Sequence, residues 1–254
     1  MAVIDPHYVW ALGHGLMLFG SIYILLQTVL FRGTPSFVYR LSYTGALLSY
    51  SIVVYKSLGI PQLNAAWARR AFVDENVQYA VLAMYWWISK PINISILPFA
   101  TFSLFHCLTF IRTNILPKFV AAPPPQAAGA TPGQQRQLTA LENVSRQIQL
   151  WVKNNYDTAM RFVAFAELLI LARVTLGAIT FRSSAIAPLF LAHFIRLRYH
   201  ASPFTKQAVG VAGAKIDSYI GENQIWIKIK SYIAAWSGHG AVPAPPAQGG
   251  AARR

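Results

Sequence analysis

The sequence predicts an all-α fold: a polytopic integral membrane protein of helical hairpins with a C-terminal amphipathic surface helix. Three observations predict it. Of the 254 residues, 55% are hydrophobic and only 12% are charged, about half the charged share of a soluble domain. The mean hydropathy is +0.39, and the apolar residues fall in blocks longer than a strand or a core helix needs. Short breaks containing Gly, Pro or charge separate those blocks, the pattern of antiparallel helix pairs. The formal net charge of +14 is large for so apolar a chain. Its basic residues flank the apolar blocks, which favours anionic, curved membrane lipids or an acidic protein as partner; no nucleic acid is expected. The lone cysteine, Cys107, excludes an intrachain disulfide and lies inside an apolar block as packing material.

The first pair of spans covers 8–31 and 37–55. The link between them, Arg32-Gly33-Thr34-Pro35-Ser36, is short and rich in breakers, so the two form a hairpin. The first span lacks a basic leader and a small-residue cleavage site, and is read as a retained anchor. Gly13, Gly15 and Gly20 permit close backbone approach, which matters in lipid, where association rests on packing. His14 inside this span is a functional candidate, weighed against a hydrogen-bonded structural histidine, the favoured reading. The stretch 59–76 is polar and mixed, a loop or short surface helix.

The organising stretch is 79–111, broken once at 89–91. The arm 92–111 can cross a hydrocarbon core of ~30 Å, whereas 79–89, at ~1.5 Å per residue, reaches about half-way. Lys90 and Pro91 form the hairpin bend: Pro91 removes a backbone donor and biases Lys90 away from helix. The charge of Lys90 places that bend near a headgroup layer.

A Pro/Gly/Gln/Ala segment over 119–137 reads as a disordered cytosolic linker. After it, Leu138, Leu141, Val144, Ile148, Trp151 and Val152 recur at helical spacing, a surface helix leading into the next span. Arg112, Lys118, Arg136, Arg146 and Lys153 face the single acid Glu142 in this region, and short basic loops stay in the cytosol. A glycan on Asn143-Val144-Ser145 would instead mean a lumenal loop.

The spans at 160–181 and 185–199 make a second long-arm, short-arm pair. Glu167 and Arg173 lie in the long arm; Arg196, Arg198 and His200 end the short one. If both pairs return to their side of entry, every basic segment and both termini are cytosolic. If the short arms lie flat, the basic linker becomes lumenal. The charge rule favours the hairpins.

Residues 204–237 carry the amphipathic region, broken at Gly221. Ile225, Ile229, Tyr232, Ile233 and Trp236 share one helix face, Trp226 flanks it, and Lys228 and Lys230 lie off it. Such a helix binds in the headgroup plane; the alternative is packing on the protein's own membrane block. Residues 238–254 read as a disordered tail.

No catalytic motif is found. His7 and His14, and His193 and His200, are seven apart but lack the clustering and acidic partners of a metal site. No phosphate loop or nucleophile elbow occurs, so neither enzyme activity nor cofactor nor metal is expected. The alternative function is a small channel or transporter using Lys90, Glu167 and Arg173, with His14 and His106.

Ser95-Ile96-Leu97-Pro98, then Ser103-Leu104-Phe105-His106, and later Phe194-Ile195-Arg196-Leu197-Arg198-Tyr199 resemble the transmembrane protein 33 family, over roughly 78–204. Glu167 is similar to an acid carried by the family in that span; Arg173 departs from the pattern, and the Pro-rich linker is longer than in animal relatives. The resemblance implies residence in the endoplasmic-reticulum membrane and nuclear envelope, including the pore membrane. It implies reticulon-type shaping proteins and nucleoporins as partners, with support of nuclear pore complex assembly and distribution. Similar C-terminal helices in fungal members are membrane- and karyopherin-binding elements. The expected function is therefore non-enzymatic: shaping or stabilising curved membrane and organising reticulum and pores.

Overall fold

The computed structural model describes residues 5–119, 139–221 and 223–237. The linker beyond Phe119 and the tail expected over 238–254 lie outside the described residues, as does Leu138. The chain divides into two compact units, Met1–Ala208 and Val209–Arg254.

Helix α1, Pro6–Val29, starts where the Asp5 side chain accepts from the His7 amide at 2.8 Å and Pro6 occupies the first turn. Helix α2, Ser36–Leu58, returns beside it. The two backbones come close at a pair of glycines: a Cβ on Gly13 would lie 2.6 Å from the Gly45 carbonyl, and one on Gly45 would lie 2.5 Å from that of Gly13. Gly20 is likewise closed in by Ser42, but Gly15 faces open space, so close approach is not its role. The buried side of α2 is polar as well as apolar: Tyr39, Ser42, Tyr43, Ala46, Ser49 and Tyr50 recur at three- and four-residue spacing.

Between α2 and the organising stretch lies α3, Ala65–Val73, capped by Asn64 accepting from the Trp67 amide at 2.7 Å. Asp74 ends α3 and caps α4, Glu75–Ile88, taking the amides of Asn76 and Val77 at 2.9 and 3.0 Å. Helix α4 stops at Ser89, and a 3₁₀ turn, Asn93–Ser95, opens α5, Ile96–Phe110. A π-helical turn, Ile111–Ile115, and a 3₁₀ turn, Leu116–Lys118, prolong α5. Pro117 lies in that last turn, where a continuing α-helix would need its missing donor.

Helix α6, Ala140–Ile179, is one continuous helix of 40 residues, opened by a capping box between Thr139 and Glu142. The stripe expected to lead into the next span does so without a break. At ~1.5 Å per residue α6 is roughly 60 Å long, twice the hydrocarbon thickness. Helix α7, Ile186–Ala201, folds back against it.

These six long elements of the first unit form a closed ring. Contacts run α1 to α2, α2 to α4, α4 to α7, α7 to α6, α6 to α5 and α5 back to α1. Helices α4 and α5, expected as two arms of one hairpin, therefore make their main contacts with other helices. They meet through side chains, the Tyr79 ring lying 5.9 Å from Phe99 and 4.9 Å from Phe102. Large rings fill the space that a close helix pair would otherwise occupy.

The α1–α2, α4–α5 and α6–α7 connections sit at one end of the ring. Asn93 donates to Thr28 at 2.8 Å and to Thr34 at 2.9 Å, tying the α1–α2 turn to the start of α5. Tyr85, near the end of α4, stacks on Phe190, near the start of α7, at 4.5 Å. The two turns that leave α1 and α6 share a Phe-Arg pair, and Phe31 and Phe181 both adopt positive φ, 53° and 57°. Both phenyl rings are fully outside, at 98% and 97% exposure. The opposite end holds the start of α1, where His7 pairs with Asn114 at 3.2 Å.

Helix α8, Pro203–Ile220, belongs to the second unit from Val209 onward and ends at Gly221, where φ is +62°. Asn223 caps α9, Gln224–Ser237, through the Ile225 amide at 2.9 Å. Asp217 of α8 accepts from Lys230 of α9 at 2.9 Å and from the Trp226 indole. Those two donors, the indole first, hold the Asp217 carboxyl below its ordinary value.

Candidate functional site

The interior of the ring is polar at three levels. Nearest the turns, Ser95 meets the hydroxyls of Tyr39 and Tyr43, each at 2.7 Å, and all three are buried. Midway, His14 Nδ1 lies 3.0 Å from Ser103 Oγ, with the His106 ring 4.4 Å from the His14 ring. His14 is thus a hydrogen-bonded interior histidine. Towards the other end, the Tyr79 hydroxyl donates to Glu167 Oε1 at 2.7 Å, and Glu167 is 1% exposed. Beside them the Arg198 guanidinium lies 5.2 Å above the Tyr79 ring and 2.9 Å from Glu75 Oε1.

Each level joins different helices, so it exists only when the ring closes. Burying a hydroxyl or a carboxylate without a partner is unfavourable, and a partner on a neighbouring helix removes that cost. In lipid the same bonds add to association, where apolar faces gain little from each other.

A cavity of about 350 Å³ opens beside the third level, lined by Tyr50, Tyr79, Phe102, Met160, Glu167 and Arg198 among others. It carries charge of both signs between aromatic walls. Among the described residues no group of three metal-ligating side chains forms.

The residues singled out in the sequence are distributed as follows. Ser95, Ser103 and Arg198 line the interior with His106, while Pro98 packs, fully buried, in the first turn of α5. Tyr199 lies under the Lys206 ammonium at 5.8 Å, and Arg196 lies three residues earlier on α7. Lys90 and Pro91 occupy the non-helical link after α4. Lys90 and Arg173 are exposed while Glu167 is buried, so the three charges named for a channel are not brought together.

On α9, Ile225, Ile229, Tyr232, Ile233 and Trp236 are exposed. Ile227, at 43% exposure, falls opposite that face, among the lysines. Lys228 is exposed, and Lys230 reaches across the Trp226 ring at 5.8 Å to Asp217.

Sequence reasoning missed Glu75, Tyr79, Tyr39 and Tyr43. Glu75 looked like part of a solvated loop. The tyrosines carried a readable signal, since their four-residue spacing continues through Ser42 and Ser49 as one polar face inside an apolar block.

A ring of helices with a polar interior, three of its helices long and apolar enough to cross a bilayer, defines a multi-pass membrane protein. The family model described as Transmembrane protein 33/Nucleoporin POM33 matches residues 3–237, and the chain belongs to that family. It is 31% identical to Nucleoporin POM33 of Chaetomium thermophilum over 88% of this chain and 83% of that one. It is 28% identical to Tetra-spanning protein 1 of Schizosaccharomyces pombe over 96% of this chain and 88% of the relative. It is also 28% identical to the Pore membrane protein of 33 kDa of Saccharomyces cerevisiae, over 86% and 76%. A further Saccharomyces cerevisiae relative is named Pore and endoplasmic reticulum protein of 33 kDa. The chain is accordingly a multi-pass protein of the endoplasmic-reticulum membrane and nuclear envelope. No solved structure matches it.

Proposed function

We propose that this protein stabilises curved membrane of the reticulum and nuclear envelope by inserting unequally into the two monolayers, and so supports nuclear pore complex assembly and distribution. The observation that carries this is α3, a short helix with two arginines joined through Asp74 to the first of two short arms. Helices α4 and α7 have 14 and 16 residues, roughly 21 and 24 Å, less than the ~30 Å of a hydrocarbon core. Both start or end at the shared turn end, so they stop short of the opposite face. There α3 continues from α4 through Asp74, an in-plane element with Arg69 and Arg70 among its residues. The short arms themselves fill the monolayer at the turns more completely, so the bulk proposed for the monolayer away from the turns comes from α3 lying in its plane. The basic segments at that end, with Arg112, Lys118, Arg146 and Lys153, make it the cytosolic side.

On this reading four elements cross in full: α1, α2, Asn93–Lys118 and the C-terminal part of α6. The relatives' names support the pore assignment, and reticulon-type shaping proteins and nucleoporins are the proposed neighbours. The exposed face of α9 is the proposed anchor to anionic lipid, and a karyopherin is a proposed partner of the same region.

Reconstitution tests the reading. Pure protein in liposomes should tubulate or constrict them at high density without raising ion flux. Flux without shape change would return the channel alternative.

A further inference from the structure

Two turns at the same end of the ring repeat one local structure. After α1 the Arg32 amide reaches back to the Gln27 carbonyl at 2.8 Å, and after α6 the Arg182 amide reaches back to the Gly177 carbonyl at 2.7 Å. This closure puts the residue before each arginine in the left-handed region, where glycine is usual because a Cβ is strained there. Here Phe31 and Phe181 fill it, at φ 53° and 57°. Strain of this kind persists only where something offsets it. Packing within the fold does not, because the two rings are 98% and 97% exposed. They extend an apolar surface that is already outside, since Leu30 and Ile179 just before them are exposed as well. Charge at this end is of one sign. The α1–α2, α4–α5 and α6–α7 connections each carry one exposed cation, Arg32, Lys90 and Arg182. None of them contains an aspartate or glutamate, and neither does any of the stretches 6–73, 76–141 and 168–216.

We propose that this end of the ring is seated on anionic phospholipid, with the Phe31 and Phe181 rings at the boundary between acyl chains and headgroups and Arg32, Lys90 and Arg182 on the acidic headgroups. The turns lie where apolar helices finish, which is the depth of that boundary. An aromatic ring recovers there the apolar surroundings that neither water nor the fold gives it. A guanidinium pairs with phosphate in a forked geometry, and cations without acids beside them gain most from a negatively charged surface. A soluble acidic protein would satisfy the cations, but it would have to cover phenyl rings on two separate turns that continue the apolar flank of the helices. The site is not that of α9. It requires only that the ring cross a bilayer, whether or not the protein bends it.

The test places a nitroxide at Phe31→Cys or Phe181→Cys in the full-length protein carrying Cys107→Ser. The labelled protein is reconstituted in phosphatidylcholine liposomes with and without phosphatidylglycerol. Electron paramagnetic resonance compares collisions with oxygen, which partitions into the acyl region, and with a water-soluble nickel chelate. Both labels should meet oxygen more often than nickel, and phosphatidylglycerol should slow their motion. Arg32→Gln, Lys90→Gln and Arg182→Gln together should abolish that slowing. Removing the rings is an independent arm. Phe31→Asn/Phe181→Asn supplies a residue that accepts a left-handed backbone, so its thermal midpoint in detergent should equal or exceed that of the wild type. Nickel collisions dominating at either label would put that ring in water, as a docking site for a soluble protein requires, and would overturn the proposal. So would label motion that phosphatidylglycerol leaves unchanged, slowing that survives the three glutamines, or a midpoint lowered by the asparagines.

Discussion

Tyr79 and Glu167, 88 residues apart in the chain, are joined by a 2.7 Å hydrogen bond in the interior of the helix ring. The bond links α4, one of the two short arms, to the 40-residue α6. Replacing Tyr79 by Phe removes the donor and leaves a buried carboxylate oxygen unserved, at a cost of roughly 1–3 kcal/mol. The thermal midpoint of the detergent-solubilised protein should fall by several degrees. A Tyr79→Phe/Glu167→Leu double variant should recover part of that loss, because neither side then carries an orphaned group. A double variant less stable than either single one would mean that the bond is not the coupling element.

The α1–α2 contact makes a sharper contrast. Gly45→Val drives a side chain into the Gly13 carbonyl, 2.5 Å from the added Cβ, whereas Gly15→Ala points into open space. Overpacking of this kind costs roughly 1–3 kcal/mol. Thermal unfolding should register Gly45→Val strongly and Gly15→Ala not at all. Equal effects would show that the two helices are free to slide apart.

Asp217 makes the α8–α9 contact of the second unit acid-sensitive. Its folded value is depressed, the Trp226 indole being the larger cause and Lys230 the next. A depressed carboxyl stabilises above its unfolded value of about 3.9 and loses that contribution as pH falls through the lower folded value. The α8–α9 contact should therefore be firmest at neutral pH and weaken as pH falls below the ordinary carboxylate range. The tryptophan emission difference between wild type and Trp226→Phe should shift over that window. In Asp217→Asn the shift should vanish; a shift that persists would assign the transition to another group.

Sidedness can be read with cysteines in a Cys107→Ser background. Ser184→Cys lies in the α6–α7 turn and Ser57→Cys near the end of α2, both exposed. In sealed microsomes a membrane-impermeant maleimide should label position 57 from outside and reach 184 only after permeabilisation. Protease added outside should also cut within 120–138 and remove the tail. Labelling of both positions from outside would contradict the proposed orientation.

For α9, replacing Ile225, Ile229 and Ile233 by Asp should release a 204–237 peptide from small anionic vesicles in a sedimentation assay. All three residues are exposed in the structure. Retention on the vesicles would mean that the lysines, and not the apolar face, hold the helix to the bilayer.

The helical class, the multi-pass habit and the break around Lys90 and Pro91 were legible in the sequence. Each follows from local rules: block length against bilayer thickness, proline chemistry, and charge at block ends. The family was legible from short motifs whose residues Ser95, Ser103, His106 and Arg198 prove to face the ring interior. That the stripe leads into the next span was legible, but not that the two form one helix from Ala140, because an amphipathic stripe and an apolar span share one helical period. Neither were the partners of the motif residues, which lie 52 and 56 positions away for Ser95 and 89 for Ser103.

Taken alone, the chain determined which stretches are long and apolar enough for a bilayer and which side their charges favour, since transfer free energy depends on composition and length. Which helix sits beside which was decided only by the closed ring. Gly13 against Gly45, Ser95 under two tyrosines and Arg198 beside Glu75 each require two distant segments at once. A buried polar group selects its partner by geometry in three dimensions, and no spacing along one segment encodes that choice.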